Sequence, residues 1–194
     1  AIDAANAAGG GVVHLPVGEF VLTSQGTNPV TNRKYGIVLK SGVTLKGAGS
    51  NLTTLRADDN ANMDIIVTDP DNNTSVLDIG IFGLKVDGNN ANQSDPNYFN
   101  IWICNASRVV MDDVYSYNPS SWGIRIENVS NMRAGTILCE HAADENADGF
   151  HIVDCDHLVI DKLIINTKGD DGFIINATNR DVHDIVVGEL IVTA

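Results

Sequence analysis

The sequence predicts an all-β fold, a right-handed parallel β-helix with a short N-terminal capping helix. Three observations predict it: short β-rich runs broken by Gly, Asn and Asp, a repeat of 23 to 26 residues, and apolar columns that keep their register between repeats. The chain has 194 residues, of which 43% are apolar and 19% charged, enough for one domain with a sizeable core. We expect a single parallel β-helix domain over residues 1–194. It should be truncated at both ends, as a fragment of a longer protein would be.

The elements follow in chain order. The first eight residues have a helix-like composition, and three glycines at Gly9–Gly11 come directly after them. Glycines after a helix commonly end it, so we expect a short helix that caps one end of the stack. Strand-like runs follow, several with alternating apolar and polar residues, the period of a strand with one solvated face. These runs include Val12–Leu15, Ile37–Leu39, Val43–Leu45, Ile101–Ile103, Ile124–Ile126 and Phe150–Ile152.

The last four coils share one register. They are anchored by a column that reads Asn100, Gly123, Gly149 and Gly172. One position later the column is Ile101, Ile124, Phe150 and Phe173, and three positions later it is Ile103, Ile126, Ile152 and Ile175. Continuous apolar columns are what stacked parallel strands with a shared core require. A second strand in each coil should begin near Val114, Ile137, Leu163 and Leu190.

A polar column lies five positions after the anchor, at Asn105, Asn128 and Asp154. Stacked amides that bond one another along the axis would explain it, and so would a simple preference for turns. The two explanations stay open at this point.

Composition excludes several functional classes. The formal net charge is −13, which disfavours nucleic acid as a partner because such binding needs a basic surface. No apolar run approaches membrane-spanning length. The three cysteines, Cys104, Cys139 and Cys155, form no close pair, so we expect buried free thiols and neither a disulfide framework nor a metal site.

Acidic residues occupy two successive coils immediately before the anchor. That column reads Phe99, Trp122, Asp148 and Asp171, and stacked strands lie about 4.8 Å apart. Carboxylates this close repel each other, so at least one pKa should rise, which keeps a general acid protonated near neutrality. Asp170 should point elsewhere and lie farther from Asp148. An inverting glycosidase needs an acid and a base roughly 6.5–9.5 Å apart, a spacing that three carboxylates over two coils can supply.

These residues resemble the polygalacturonase family of glycoside hydrolases. The match consists of Asn146–Phe150 and Gly169–Ile175, which carry the family's Asn-Thr-Asp-Gly and Gly-Asp-Asp patterns with Ala147 in place of Thr and Gly172 in place of Cys. The resemblance implies a right-handed β-helix that hydrolyses a polysaccharide with inversion, without a metal or other cofactor, and outside the cell. It implies that Asp170 is the general acid, that Asp148 and Asp171 hold and activate the water, and that Asn146 orients its neighbours.

The N-terminal part resembles the wider pectate-lyase superfamily and phage tailspikes. The residues that carry this likeness are 1–16 and 39–49. The likeness bears on the fold more than on activity. In a tailspike, homo-oligomers would be expected.

Further side chains are candidates for binding substrate. Trp122 is followed by a glycine on the acid column and could stack on a sugar. Two positions after the anchor, Trp102, Arg125, His151 and Ile174 should face outward, where Arg125 and His151 could contact a sugar acid. Lys168 is close to the acids in sequence and could soften their negative field. A solvated face explains these residues nearly as well.

Three alternatives remain open. The chain could be a non-catalytic β-helix, such as a tailspike or a carbohydrate-binding module, with the acids as turn residues. It could be a calcium-dependent uronate lyase, with Ca²⁺ held by Asp144, Glu145, Asp148, Asp170 and Asp171. It could also be an epimerase of acidic sugars, although the Tyr/Asp/His cluster of such enzymes is not seen near Trp122–Arg125.

Overall fold

The computed structural model describes residues 1–28, 31–68, 74–95, 97–141 and 147–193. They form a parallel β-solenoid with one short α-helix at the N-terminus, so the predicted fold class is confirmed. The elements are α1 Ile2–Ala7, β1 Gly11–His14, β2 Gly18–Leu22, β3 Gly26–Thr27, β4 Lys34–Val38, β5 Val43–Lys46, β6 Thr53–Ala57, β7 Asp64–Val67, β8 Val76–Asp87, a 3₁₀-helix Asn90–Asn92, β9 Ile101–Tyr117, β10 Ile124–Glu140, β11 Phe150–Val153, β12 Asp156–Asn166, β13 Phe173–Asn176 and β14 His183–Thr193.

The strands stack as three parallel ladders, so each coil has three sides. Sheet A contains β1, β5 and the first halves of β8, β9, β10, β12 and β14. Sheet B contains β2, β6 and the second halves of the same long strands. Sheet C contains β4, β7, the starts of β9 and β10, β11 and β13. Only the short β3 pairs antiparallel among the described strands, with β4.

The apolar columns predicted from the repeat lie in the core. Ile124 is in register with Ile101 on one side and Phe150 on the other, and Phe150 is in register with Phe173. The second-strand prediction is also confirmed, because Ile137 pairs with both Val114 and Leu163, and Leu163 pairs with Leu190. These columns give the solenoid its continuous interior of fully buried Ile, Leu, Val and Phe side chains.

The last members of two columns depart from this pattern. Ile103, Ile126 and Ile152 are fully buried, but Ile175 is 44% exposed. Val114, Ile137 and Leu163 are buried, but Leu190 is 45% exposed. Among the described residues, Ile175 belongs to the last strand of sheet C and has a neighbouring strand on one side only. Burial in a solenoid depends on coils on both sides.

Turn preference and stacked amides both contribute to the polar column. Asn105, Asn128 and Asp154 all have the left-handed backbone conformation, with φ of 49°, 51° and 53°. Asn and Asp adopt this conformation more readily than other residues with a side chain. In addition, the Nδ2 of Asn128 donates to the Oδ1 of Asn105, so the amides do bond along the axis. The column therefore marks the corner after each strand of sheet C.

The glycines of the anchor column are required by close approach between coils. A Cβ on Gly123 would lie 2.4 Å from the carbonyl oxygen of Gly149, and a Cβ on Gly149 would lie 2.7 Å from that of Gly172. No real Cβ comes this close to a backbone oxygen. Glycine is therefore required at these positions for space, and this close approach fixes the backbone directly after each acid.

The cysteines are buried free thiols, as predicted. Burial raises the pKa of Cys155 to about 11, which keeps it protonated at neutral pH. None of the helices among the described residues has the length and apolar character needed to cross a bilayer.

Candidate active site

Three carboxylates converge at the edge of sheet C where its strands β11 and β13 begin. Asp148, Asp170 and Asp171 each offer an oxygen, and these oxygens all lie within 4.8 Å of one another. Asp148 is 5% exposed, whereas Asp170 and Asp171 are exposed. One acid is thus buried in the wall of the solenoid and two are open to solvent beside it.

Backbone hydrogen bonds between coils fix this arrangement. The carbonyl of Asp148 accepts from Gly123 N at 2.9 Å, and the carbonyl of Asp171 accepts from Gly149 N at 2.9 Å. Asp170 N donates to Ala147 O at 3.0 Å, which holds Asp170 against the previous coil. The column of Phe99, Trp122, Asp148 and Asp171 predicted from the repeat is therefore present, and the expectation that aspartates one coil apart become neighbours holds.

Asp170 was expected to point away from Asp171 and so to be able to lie farther from Asp148. One of its carboxylate oxygens lies within 4.8 Å of one from Asp148. The hydrogen bond from Asp170 N to Ala147 O brings Asp170 beside the coil that carries Asp148. General glycosidase spacings associate about 6.5–9.5 Å with inversion and about 5–5.5 Å with retention.

His151 contacts the buried acid. Its Nδ1 lies 2.7 Å from the Oδ2 of Asp148, and its Nε2 lies 3.1 Å from the Nδ2 of Asn176. Although the first pair is in contact, Nδ1 has no hydrogen-bond partner of good angular geometry among the described residues. An amide donor at Nε2 leaves the ring proton on Nδ1, facing the carboxylate.

His151 corrects one prediction. It was expected to face solvent, in a column with Trp102, Arg125 and Ile174, and the register of that column is confirmed. However, His151 is only 8% exposed. The contacts with Asp148 and with Asn176 of the next coil account for part of this cover, and strand alternation cannot foresee them.

An aromatic cluster lies next to the acids along the same column. Trp122 is one coil from Asp148, and its ring stacks on Phe99 with centroids 4.8 Å apart. Trp102 packs against Phe99 at 5.3 Å. Phe99 is buried, whereas the two tryptophans are partly exposed, so they form an accessible apolar surface.

Arg125 stands beside this surface but is already paired. Its Nε donates to the Oε2 of Glu127 at 2.9 Å, and the same oxygen accepts from Trp102 Nε1 at 3.1 Å. Its guanidinium carbon lies 5.9 Å from the centre of the Phe99 ring. The remaining N–H groups of a guanidinium keep Arg125 able to donate to a ligand.

Two further residues in this region were missed by the sequence reasoning. Asp64 occupies the acid column one coil before Phe99, and Arg33 forms a bidentate ion pair with it while packing over the Phe99 ring at 4.8 Å. Burial raises the pKa of Asp64, and the hydrogen bonds from Arg33 and from Phe99 N oppose that rise. No signal predicted this, because the 35 residues between Asp64 and Phe99 break the 23-residue repeat.

Asp64 provides an internal comparison. It lies in the same column as Asp148 and Asp171, yet a guanidinium neutralises it. In the described part of the chain, none of Asp148, Asp170 and Asp171 forms an ion pair with a lysine or arginine. The buried acid Asp64 has an arginine partner in this column, whereas Asp148 contacts a histidine.

The other predicted site residues are placed as follows. Lys168 is exposed, and no ion pair joins it to a described residue. Asn146 lies outside the described residues, as do Asp144 and Glu145 of the calcium alternative. The carboxylates of Asp148, Asp170 and Asp171 could hold a hard cation through their oxygens. Two surface depressions lie elsewhere, one on sheet A around Asp78 and the other beside α1, and neither includes these acids.

Comparison with known proteins places these features in context. Residues 81–188, more than half of the chain, match the model of the glycosyl hydrolases family 28. A protein of Aspergillus niger assigned as a galacturan 1,4-alpha-galacturonidase C is 28% identical over 145 residues, which cover 61% of this chain and 34% of that protein. Mannuronan C5-epimerase AlgE4 of Azotobacter vinelandii is 36% identical over 158 residues, which cover 77% of this chain and 27% of the epimerase.

The fold has a counterpart among solved structures. A protein of Parabacteroides merdae assigned as a glycosyl hydrolase superposes with a TM-score of 0.69 and 15% identity, covering 98% of this chain and 86% of that one. The likeness concerns the fold alone at this level of identity. The chain spans about a third or less of the length of the two curated relatives described above.

Proposed function

The chain belongs to the glycosyl hydrolases family 28, and from that membership we propose that it carries the acid and base of a polysaccharide hydrolase. The observation that carries the proposal is the convergence of Asp148, Asp170 and Asp171 within 4.8 Å, in a column where the one other described acid is neutralised by arginine. Three carboxylates with no lysine or arginine partner among the described residues supply the two proton-transfer groups that glycoside hydrolysis requires.

The roles follow from exposure and position. Asp170 is exposed and gives its proton to the glycosidic oxygen as the bond to the anomeric carbon breaks. Asp148 and Asp171 accept the hydrogen bonds of a water molecule, and one of them takes its proton as the oxygen attacks the anomeric carbon. His151 holds the buried Asp148 carboxylate in place through Nδ1. Asn146, from the family pattern, orients this group of acids.

The substrate would lie along the column, across successive coils. Trp122 and Trp102 supply partly exposed rings one and two coils from Asp148, and sugars stack on such rings. The resemblance to a galacturan 1,4-alpha-galacturonidase favours a polymer of acidic sugars. The guanidinium of Arg125 and the ammonium of Lys168 are the cations that would contact its carboxylates.

The test is a screen of the full-length protein for release of reducing ends from galacturonan and from neutral polysaccharides. Asp170→Asn should abolish release while the circular dichroism spectrum and melting temperature stay unchanged. Asp161→Asn, an exposed aspartate outside the acid column, is the matched control and should retain activity. Normal cleavage by Asp170→Asn would overturn the assignment.

Two further readouts refine the mechanism. Family membership favours inversion, and the stereochemistry of the first product tests it. Proton NMR of the first products distinguishes inversion from retention, and we expect the inverted anomer. Activity should persist in EDTA; loss on chelation would support the calcium-dependent lyase instead.

A second candidate is epimerisation of an acidic sugar within the polymer. The observation that favours it is the 36% identity with mannuronan C5-epimerase AlgE4, higher than the 28% with the galacturonidase. A buried carboxylate in contact with a histidine is also a pair that can move a proton. An epimerase would incorporate deuterium from D₂O into the polymer without creating reducing ends, and a hydrolase would create reducing ends.

A further inference from the structure

A second cluster of chemically active side chains lies at the opposite edge of sheet C from the acids. Asp148 precedes β11, whereas His157 follows it, at the corner that leads into sheet A. His157, His183 and Asp184 each offer one ligand atom, and these atoms all lie within 4.8 Å of one another. All three side chains are exposed, at 56%, 53% and 64%. We propose that they form a binding site for a transition-metal dication of the zinc class.

The backbone brings the three residues together. β12 and β14 are neighbouring strands, with Asp156 in register with His183 and Leu158 with Ile185. His157 and Asp184 lie between these pairs, one coil apart. Both have the left-handed conformation, with φ of 54° and 56°. The site therefore joins two coils at one corner and does not depend on a flexible loop.

The acceptor atoms of His157 and Asp184 favour a positive charge at the centre of this cluster. The Nδ1 of His157 lies 2.7 Å from Asp156 Oδ1, so in the neutral ring that nitrogen carries the proton and Nε2 carries the lone pair. That lone pair faces Asp184 Oδ2 at 3.4 Å. Two acceptors cannot bond each other, so a second proton or a metal ion between them would make this contact favourable.

One of the two contacts of Asp184 has the distance expected between ligands of one metal ion, and the other is shorter. Zinc binds imidazole nitrogen at about 2.0–2.1 Å and carboxylate oxygen at about 2.0–2.2 Å, so neighbouring ligands of a tetrahedral ion lie about 3.4 Å apart. Asp184 Oδ2 is 3.4 Å from His157 Nε2 and 2.9 Å from His183 Nδ1. The rings of the two histidines are nearly perpendicular, with centroids 5.3 Å apart, so both can direct a nitrogen at one point. Water would complete the coordination.

A surrounding carboxylate supports this interpretation. Metal-bound histidines commonly donate their other N–H to a carboxylate, which fixes the tautomer and the orientation of the ring. Asp156 does this for His157, and its own charge is balanced by an ion pair with Arg180. The side chains that would bind the ion then carry one net negative charge, from Asp184. Two imidazoles and one carboxylate favour Zn²⁺, Ni²⁺ or Co²⁺ over Ca²⁺ and Mg²⁺.

The experiment uses tag-free full-length protein stripped with EDTA and then titrated with ZnCl₂ by calorimetry. The site should bind one equivalent of zinc that His157→Asn or His183→Asn weakens at least tenfold. Asn is chosen because it tolerates the left-handed backbone of His157. Asp156→Asn should weaken binding about 10- to 100-fold, since it removes the carboxylate that orients His157 and keeps all three proposed ligands. His14→Asn, an exposed histidine on β1, is the matched control and should bind as the unchanged protein does.

Cobalt gives a direct readout of coordination. Co²⁺ at the site should produce visible absorption bands that zinc removes, and both histidine variants should lack them while retaining the melting temperature of the metal-free protein. Zinc should raise the melting temperature of the unchanged protein and of His14→Asn, because binding to the folded state stabilises it. It should not raise that of His157→Asn or His183→Asn. Absence of zinc binding, or binding that survives both histidine substitutions, would overturn the proposal and leave a protonated histidine between the carboxylates.

Discussion

At the scale of single residues, the contact between His151 and Asp148 is the feature with the clearest consequence. His151→Ala would leave the buried carboxylate without its neighbour at 2.7 Å. Hydrogen bonds to charged groups contribute about 1.5–3 kcal/mol, so kcat should fall about 10- to 100-fold with little change in KM. His151→Gln, which keeps a donor, should recover part of this loss. An increase in KM with kcat unchanged would contradict a role at the acid and assign His151 to substrate contact.

A second prediction at this scale concerns pH and the turn residue Asp154. Its carboxylate accepts from Thr178 N at 2.6 Å and from Asn179 N at 3.0 Å, and these hydrogen bonds lower its pKa. A carboxyl group whose pKa is lower in the folded state than in the unfolded state stabilises the fold above the unfolded value, near 3.8, and loses this effect as the pH falls through the folded value.

Thermal unfolding of the unchanged protein and of Asp154→Asn should therefore differ most above about pH 4. The difference between their melting temperatures should shrink as the pH is lowered further. Asp161→Asn, an exposed carboxylate at the corner of β12 between sheets A and B, serves as the comparison. A difference that stays constant down to pH 2 would show that the charge of Asp154 does not contribute.

The residues of the candidate site differ in how far the sequence predicts them. The acids were found because Asp148 and Asp171 repeat with the period of the coil, and their neighbours Phe99 and Trp122 repeat with them. Arg33 and Asp64 were not found, because they come from coils of a different length. The contact of His151 with Asp148 was not found either, since strand alternation gives the direction of a side chain but not what covers it. Roles of the acids stay predictions until the variants are measured.

At the scale of elements, the close stacking of the anchor column predicts a sharp difference between two glycines. Gly123→Ala would place a Cβ 2.4 Å from the backbone oxygen of Gly149, which cannot move without breaking the ladder. Overpacking of this kind typically costs about 1–3 kcal/mol of unfolding free energy. Gly172→Ala would meet the methyl group of Val192 at 2.9 Å, and a side chain can move. Urea denaturation should show the larger loss for Gly123→Ala; equal losses would refute close approach as the cause.

The register of sheet C explains which elements the sequence could predict. The last coils carry apolar residues at matching positions and nearly constant spacing, so the sequence alone aligns Ile101, Ile124 and Phe150. The earlier coils are interrupted by longer connections, such as the segment between Asp87 and Ile101, and the strands β2, β6 and β7 were not assigned. Periodicity predicts a strand only where the repeat itself is regular.

At the scale of the whole molecule, the net charge of −13 makes a prediction about substrate binding. A negatively charged polysaccharide is repelled by the protein at low ionic strength, and salt screens that repulsion within about 8–10 Å at physiological concentration. For a polymer of acidic sugars, KM should therefore fall as NaCl is raised from about 10 to about 150 mM. A neutral polysaccharide serves as the comparison and should show no such change. A KM for the acidic polymer that rises with salt would indicate that cations dominate the binding surface.

The single column shared by the rings and the acids has a consequence for how this protein can change. Trp122 precedes Asp148 by one coil, and Phe99 precedes it by two, so the distance from platform to reacting centre is a whole number of coil heights. Duplicating or deleting one coil would lengthen or shorten that distance by about 4.8 Å. The remaining strands would keep the same pairing register. Under the proposed function, the length of sugar chain that is bound would change in steps of one coil, with no change at either end of the solenoid.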